Sequence, residues 1–328
     1  MKITFPFILL IGIYSLGPKP ERPKYSLTVP SVPSLPDDLV AHVTKQESLH
    51  KLKPGNEAEI VWNDSTRQKT EYAVVYLHGF SASKVEGDPV HKRFAKQFGA
   101  NLYLARLADH GVDTTETLLL YTPDREWESA KEALAIGKQL GNKVILLSTS
   151  TGGTLALKLA AEFPQDVFAL INLSPNIAIN DPAAFLLNDP WGLYIARMVL
   201  GDHYRTTKAS PEAAKYWNKK YRIEALTQLE ELVETTMTEE TFERVRQPSL
   251  TLYYYKSETE QDPEVKVSGM LEMHDQLGTP ENLKKKVAMP NTGAHVIGGA
   301  MASKDVEGVY AEIEKFAIEV LGMKKVNG

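Results

Sequence analysis

Short apolar runs alternate along this chain with longer stretches whose apolar positions recur every three or four residues. The runs predict strands over Glu57–Trp62, Tyr72–Leu77, Leu102–Ala105, Lys143–Leu147, Val167–Leu173, Ser249–Tyr255 and Lys284–Met289. The longer periodicity predicts helices over Pro89–Phe98, Arg125–Leu140, Gly152–Phe163, Val267–Leu277 and Asp305–Leu321. Strand and helix in alternation imply a mostly parallel sheet with helices on both faces. The interval Ser174–Pro248, about 75 residues, breaks that rhythm and is too long for a plain connection. Helical patterns at Ala183–Leu187, Gly192–Leu200, Pro211–Tyr221 and Thr227–Val245 make it an inserted helical cap. Its apolar and aromatic content, with Phe185, Trp191, Tyr194 and Trp217, suits both its own packing and the lining of a pocket. The core then divides into 57–173 and 249–328, with 174–248 as the cap.

One transition is abrupt. The run Val144–Leu147 ends in Ser148-Thr149-Ser150-Thr151-Gly152-Gly153, after which Leu155, Leu159 and Phe163 are spaced by four. This is strand, sharp turn and helix with Ser150 at the apex. It fits the nucleophile elbow Gly-x-Ser-x-Gly with Ser148 in place of the first glycine. The turn brings the positions two before and two after the serine together, so both must be small, as Ser148 and Gly152 are. It presents the hydroxyl above the sheet. It also places the Thr151 amide at a helix start, where an N–H can stabilise a developing oxyanion. The plainer alternative is a polar strand-to-helix loop. Upstream, Tyr72–Leu77 runs into His78-Gly79-Phe80-Ser81, the loop that supplies the second oxyanion amide in this architecture, here Phe80. His78 reads as a histidine bonded within that loop.

These segments make the chain resemble the α/β-hydrolase superfamily, and more narrowly its carboxylesterase, monoacylglycerol lipase and lysophospholipase-like branch. The resemblance is carried by Tyr76-Leu77-His78-Gly79-Phe80, Ala105-Arg106-Leu107-Ala108-Asp109-His110-Gly111, the Ser150 elbow and Asn291-Thr292-Gly293-Ala294-His295. In the second segment Ala105 stands for the family's proline and Asp109 for its first glycine. Asp109 and His110 are near-site candidates whose ordinary role is to shape a loop. The chain order of this fold is serine, acid, histidine. His295 has the right setting, after Val287–Met289 and the turn Pro290–Gly293 and before the last helix. His42 and His50 precede the first strand, and His274 sits in a helical stretch. The acid should follow Ser249–Tyr255, where Glu258, Glu260 and Asp262 all stand. The family pattern favours Asp262-Pro263-Glu264-Val265.

The resemblance implies an α/β-hydrolase fold with a helical cap, and a serine esterase with Ser150, Asp262 and His295 as its triad. It implies oxyanion amides of Phe80 and Thr151, no cofactor and no metal. The substrates it points to are lipophilic monoesters such as monoacylglycerols, lysophospholipids or simple acyl esters. An amidase or aminopeptidase-type hydrolase, or a non-catalytic ligand-binding homologue, shares these features, because a triad does not choose its leaving group.

Composition narrows this only slightly. Of 328 residues 43% are hydrophobic and 24% charged, ordinary for a globular enzyme. A net charge of −5 offers no basic surface, so nucleic acid is not an expected partner. There is no cysteine, hence no disulfide and no thiol nucleophile. No Gly-x-Gly-x-x-Gly or phosphate-loop pattern occurs. Met1-Lys2 precedes an interrupted apolar stretch, Ile3–Leu16, that is short for a membrane span and resembles a secretory signal. Residues 1–17 are accordingly expected to be a signal peptide or membrane anchor, giving an exported or membrane-anchored protein with membrane association through its N-terminus. The prolines at 18, 20, 23, 30, 33 and 36 make 18–56 a proline-rich spacer and lead-in.

Overall fold

The computed structural model describes residues 14–208 and 210–326; of the Ile3–Leu16 stretch, residues 3–13 lie outside the described ones. Its strands are β1 Glu59–Val61, β2 Thr70–Leu77, β3 Asn101–Leu104, β4 Gly141–Thr149, β5 Ala169–Leu173, β6 Tyr204–Thr206, β7 Lys220–Arg222, β8 Ser249–Tyr253, β9 Tyr255–Ser257, β10 Glu260–Gln261 and β11 Lys284–Ala288. Its α-helices are α1 Pro36–Ser48, α2 Val90–Gln97, α3 Pro123–Leu140, α4 Thr151–Glu162, α5 Gly192–Leu200, α6 Ala213–Tyr216, α7 Glu224–Thr236, α8 Glu239–Arg244, α9 Val267–Gln276 and α10 Val306–Glu319.

Seven strands form one sheet in the order β1-β3-β2-β4-β5-β8-β11. All its pairings are parallel except β1 with β3. Burial on both faces follows from the period-2 geometry of a strand. In β2, Ala73, Val75 and Leu77 face a core completed by Trp127, Ala130 and Leu134 of α3 and Leu155 and Leu159 of α4. Val74 and Tyr76 face the opposite core with Val90 and Phe94 of α2 and Ile313 and Phe316 of α10. A run apolar at every position is what such a strand requires, and the seven expected sheet strands are all present.

The inserted segment departs from its predicted pattern in two places. The stretch Thr227–Val245 is not one helix: α7 ends at Thr236 and α8 starts at Glu239, with the Thr238 hydroxyl accepting the Thr241 N–H as an N-cap. In Pro211–Tyr221 only Ala213–Tyr216 is α-helical, because the chain then straightens into β7, which pairs antiparallel with β6. Tyr221 of β7 and Ala225, Leu229 and Val233 of α7 pack with Leu118 and Tyr121, with Phe80 at the edge of that cluster. Among the described residues no helix is long and apolar enough to cross a membrane.

Residues 18–35 are extended, as their prolines dictate, but they do not form a free tether. The Lys24 and Tyr25 N–H groups donate to Asp124, the Trp127 indole donates to the Ser26 carbonyl at 2.7 Å, and Lys131 Nζ donates to the Thr28 carbonyl at 2.7 Å. α1, which the apolar pattern leaves unmarked, follows with Leu39 and Val43 buried. Glu47 at its end holds Arg106 through both carboxylate oxygens.

Behind the β2 and β3 loop ends lies a buried polar cluster. His78 Nε2 accepts the Leu107 N–H, so its Nδ1–H donates to the Gly79 carbonyl. His110 Nε2 accepts the Ser81 N–H, so its Nδ1–H donates to the Ala108 carbonyl. Burial lowers both imidazoles, His110 to about 4, and they brace the loop as neutral rings. Glu126 is fully buried beside them. Among the described residues neither of its carboxylate oxygens has a hydrogen-bond partner; His110 Nδ1 is 3.8 Å away. Burial, then the nearby Asp109, raises its carboxyl well above the usual range.

Two expectations follow. Removing residues 1–29 strips the Ser26 carbonyl from the Trp127 indole and the Thr28 carbonyl from Lys131, which keeps its 2.8 Å pairing with Glu128, and should cost about 1–3 kcal/mol, read as a lower thermal or urea midpoint; a free tether would leave the midpoint unchanged. Glu126 contributes stability that is complete below its unfolded value of 4.5 and is lost as pH rises through its raised folded value. Glu126→Gln should therefore melt at a temperature that falls less between pH 5 and pH 8 than that of the parent chain. Parallel pH dependences would show that Glu126 is not held protonated.

Candidate active site

The C-terminal ends of the parallel strands carry the candidate residues, each on a short connection fixed by the sheet. β4 ends at Thr149 and α4 begins at Thr151, leaving Ser150 as the single residue of the turn. Its backbone lies at φ 54°, ψ −122°, a region L-residues rarely occupy. Three bonds hold it there: its N–H donates to the Leu173 carbonyl at 3.1 Å, and its carbonyl accepts from Gly153 at 2.8 Å and Asn176 at 2.9 Å. Gly152 has no alternative, since a Cβ there would overlap the Leu77 carbonyl oxygen. At the other flanking position a side chain is tolerated. Ser148 is buried and its hydroxyl donates to Asn172 Oδ1 at 2.9 Å. The crowding of the elbow thus falls on the glycine after the serine.

Thr151 is the first residue of α4, so its N–H is one of the donors a helix leaves without an internal acceptor. In the facing loop the Gly79 N–H is taken by Glu86 at 2.6 Å and the Ser81 N–H by His110 at 3.0 Å. Between them, the Phe80 N–H meets no acceptor among the described residues. The Phe80 ring is pinned edge-on by His110, Tyr121 and Tyr221, with centroids 5.2–6.0 Å away. From the inserted segment, the Asn218 N–H donates to the Ser81 carbonyl at 2.7 Å.

Asp262 and His295 come together from different loops. His295 Nδ1 lies 2.7 Å from Asp262 Oδ2. The other oxygen of Asp262 accepts the N–H groups of Glu264 at 2.9 Å and Val265 at 3.1 Å, and the residue is 1% exposed. Burial pushes this carboxyl up, but the charge and hydrogen bond of His295 and the two backbone donors outweigh it and hold Asp262 below the usual carboxylate range. An acceptor-only carboxylate at Nδ1 leaves the Nε2 lone pair of neutral His295 available. Burial pulls the imidazolium down, while Asp262 first and then Glu86 and Glu264 raise it; the net direction is upward from 6.5. The rival acids stand elsewhere. Glu258 bonds the Tyr255 hydroxyl and Glu260 pairs with Lys256, both at the surface around β9 and β10.

Among the described residues no hydrogen bond joins Ser150 to His295. Both are related to Gly79 and Glu86: a Cβ built on Gly79 would lie 2.8 Å from Ser150 Cβ and 3.0 Å from Glu86 Oε1, and Glu86 acts electrostatically on His295. Serine–histidine bonds in ligand-free sites are commonly long and tighten with substrate. Ser150 is 8% exposed and the His295 side chain 12%, so the site is nearly roofed.

Other candidates shape loops. Asp109 adopts φ 63°, the conformation that explains a glycine at that position, and Arg125 holds its carboxylate with two 2.8 Å bonds. His42 pairs with Glu132 at 2.8 Å, and His274 is a buried ring of α9 lowered to about 4 by burial and then by Lys286 and Lys284. Glu86 escaped the sequence reading: a glutamate in Ser83-Lys84-Val85-Glu86-Gly87-Asp88 looks like a solvated loop residue, yet it is 2% exposed. No group of three potential metal ligands stands together among the described residues. A 410 Å³ cleft between α1 and α3, lined by His42, Glu47, His50, Arg106 and Arg125, lies away from Ser150.

No family model matches this chain, and no curated protein sequence matches it. Solved structures do. The chain is similar to a structure from the metagenome-derived lipolytic enzymes LipS and LipT, at 18% identity and a TM-score of 0.65, over 81% of this chain and 98% of that one. It is similar to a Paleococcus ferrophilus monoacylglycerol lipase at 14% identity and a TM-score of 0.59, over 80% and 97%. A soluble variant of the Saccharomyces cerevisiae monoglyceride lipase follows at 10% identity and a TM-score of 0.60, over 79% and 90%. With its parallel sheet, flanking helices and strained strand-to-helix serine, the chain has the α/β-hydrolase fold.

Proposed function

We propose that this protein is a serine hydrolase that cleaves carboxylic esters through an acyl-enzyme, with Ser150, His295 and Asp262 as its triad. The observation that carries the reading is the 2.7 Å bond between His295 Nδ1 and an Asp262 already anchored by two backbone donors, beside a serine held in a strained turn. Ser150 Oγ attacks the ester carbonyl carbon and its proton passes to His295 Nε2. The tetrahedral oxyanion is stabilised by the Phe80 and Thr151 N–H groups. His295 returns the proton to the departing alkoxide, leaving the acyl group on Ser150. Water, deprotonated by the same nitrogen, then releases the acid and restores the serine. Asp262 keeps the tautomer and stabilises the imidazolium.

The substrate class proposed is lipophilic monoesters such as monoacylglycerols, lysophospholipids or simple acyl esters. The support is the lipase names among similar structures and the apolar and aromatic segment over the Phe80 loop. The chain is proposed to act outside the cytoplasm or at a membrane, on the strength of the apolar Ile3–Leu16 stretch.

Ser150→Ala should abolish labelling by a fluorophosphonate and lower esterase kcat by about a thousandfold or more, with the melting temperature retained. His295→Ala should be comparably damaging, and Asp262→Asn should cost about a hundredfold or more while Glu260→Gln and Glu258→Gln remain active. In the parent enzyme kcat/KM should rise with pH through a midpoint above 6.5, since the base must be neutral and its value is raised. A panel of acyl esters against the matching anilides separates esterase from amidase. Undiminished labelling of Ser150→Ala would falsify the assignment.

A further inference from the structure

We propose that Glu86 is a positioning residue of this site, fixing the oxyanion loop through the Gly79 N–H and acting beside Asp262 as a second anion on His295. The proposal rests on the reading of His295 as the base.

Glu86 lies in the 3₁₀ turn Lys84–Gly87 and bonds three separate segments around the site. Its Oε2 accepts the Gly79 N–H at 2.6 Å, the residue before the proposed oxyanion donor. The same oxygen receives the Tyr76 hydroxyl at 3.4 Å, and that hydroxyl is 3.0 Å from Thr149 Oγ1, the residue before Ser150. The Trp217 side chain of the inserted segment also bonds it. Its own turn is fastened to the loop of His295: the Ala300 N–H donates to the Asp88 carbonyl at 2.9 Å, Pro89 and Gly299 form a β-bridge, and a Cβ on Gly299 would overlap the Glu86 carbonyl. The carboxylate therefore links the end of β2 and, through Tyr76, that of β4 to the inserted segment, while the main chain of its turn is tied to the histidine loop.

A purely structural brace would need no charge there. Neighbouring charges do not neutralise Glu86. Asp88 pairs with Lys92 and Lys84 with Glu59, while burial lowers His91 to about 4, leaving it neutral. Tyr76 is kept protonated by burial. His295 is the facing group that bears charge in the working range, and the groups acting on it are Asp262, Glu86 and Glu264. Burial raises Glu86 to about 7, opposed by the Gly79 N–H and then by His295. Its charge therefore arrives in the range where His295 loses its own, and the two titrate as a coupled pair.

Glu86→Gln keeps an oxygen acceptor for the Gly79 N–H and removes the charge; Glu86→Ala removes both. Without the anion the His295 imidazolium is less favoured. The acid limb of kcat/KM, and of the fluorophosphonate labelling rate, should move to lower pH by roughly half a unit to one unit in Glu86→Gln. Glu86→Ala should lower the plateau kcat by about tenfold or more with a smaller change in KM, and Glu86→Gln should recover most of that loss. A Glu86→Gln enzyme that melts cooperatively and superposes on the parent pH profile overturns the proposal, whether or not the alanine variant folds. If the parent enzyme is not labelled at Ser150 at all, the reading of the site has failed; if it is labelled and the profiles superpose, the role of Glu86 alone has failed.

Discussion

The contact on which this molecule turns is the one between Gly152 and the carbonyl of Leu77. It presses the first turn of α4 onto the end of β2, so closely that a Cβ on Gly152 would overlap that oxygen. A normal strand-to-helix connection has room to relax; this one has a single residue, and Ser150 takes up the geometry at φ 54°. The strain has a direct consequence. The hydroxyl-bearing residue cannot sink into the sheet, the α4 N-terminus is aimed across the strand ends, and the β2 loop carrying Phe80 is drawn to face it. Backbone hydrogen bonds to Leu173, Asn176 and Gly153 hold the residue in place, and the buried cores on both sheet faces supply the rigidity that sustains a conformation costing about 1–3 kcal/mol.

That constraint is also why the elbow was visible in sequence. Sterics at a forced turn leave a compositional mark, small residues flanking a serine between a strand and a helix, and the mark survives the exchange of the first glycine for Ser148. Strands buried on both faces leave an equally plain mark, because every position must be apolar. Helix α1 left little, since only Leu39 and Val43 of it are buried; its start signals, Pro36 with Asp37 and Asp38, were there to be read. The division of Thr227–Val245 turns on Thr238 acting as an N-cap inside a continuous helical period. The hold of residues 24–28 on α3 rests on the main-chain N–H and carbonyl groups of that segment, which no side-chain pattern encodes. Glu86 was illegible for a related reason: beside the nearby loop 79–81 it meets Trp217 and the 299–300 segment, both far away in the chain.

The two acidic groups around His295 show how the fold assigns different chemistry to similar side chains. Asp262 and Glu86 are both almost fully buried, so desolvation pushes both upward. Asp262 receives two backbone N–H groups and the imidazole directly, and those donors overturn the desolvation and keep it charged. Glu86 receives one backbone N–H, a long hydroxyl bond and the Trp217 side chain, with His295 acting on it without a bond, and desolvation prevails. Each carboxylate has three donors, so the difference lies in their strength: Asp262 takes the imidazole directly at 2.7 Å, whereas the Tyr76 hydroxyl reaches Glu86 only at 3.4 Å. An acid whose charge is permanent can orient a base; one whose charge comes and goes near neutrality can only modulate it. The same logic separates Glu126, with no donor at all, from both. A chain that buries three carboxylates at and behind one end of its sheet thus grades them by hydrogen bonding, and the best satisfied of the three is the one bonded to the histidine.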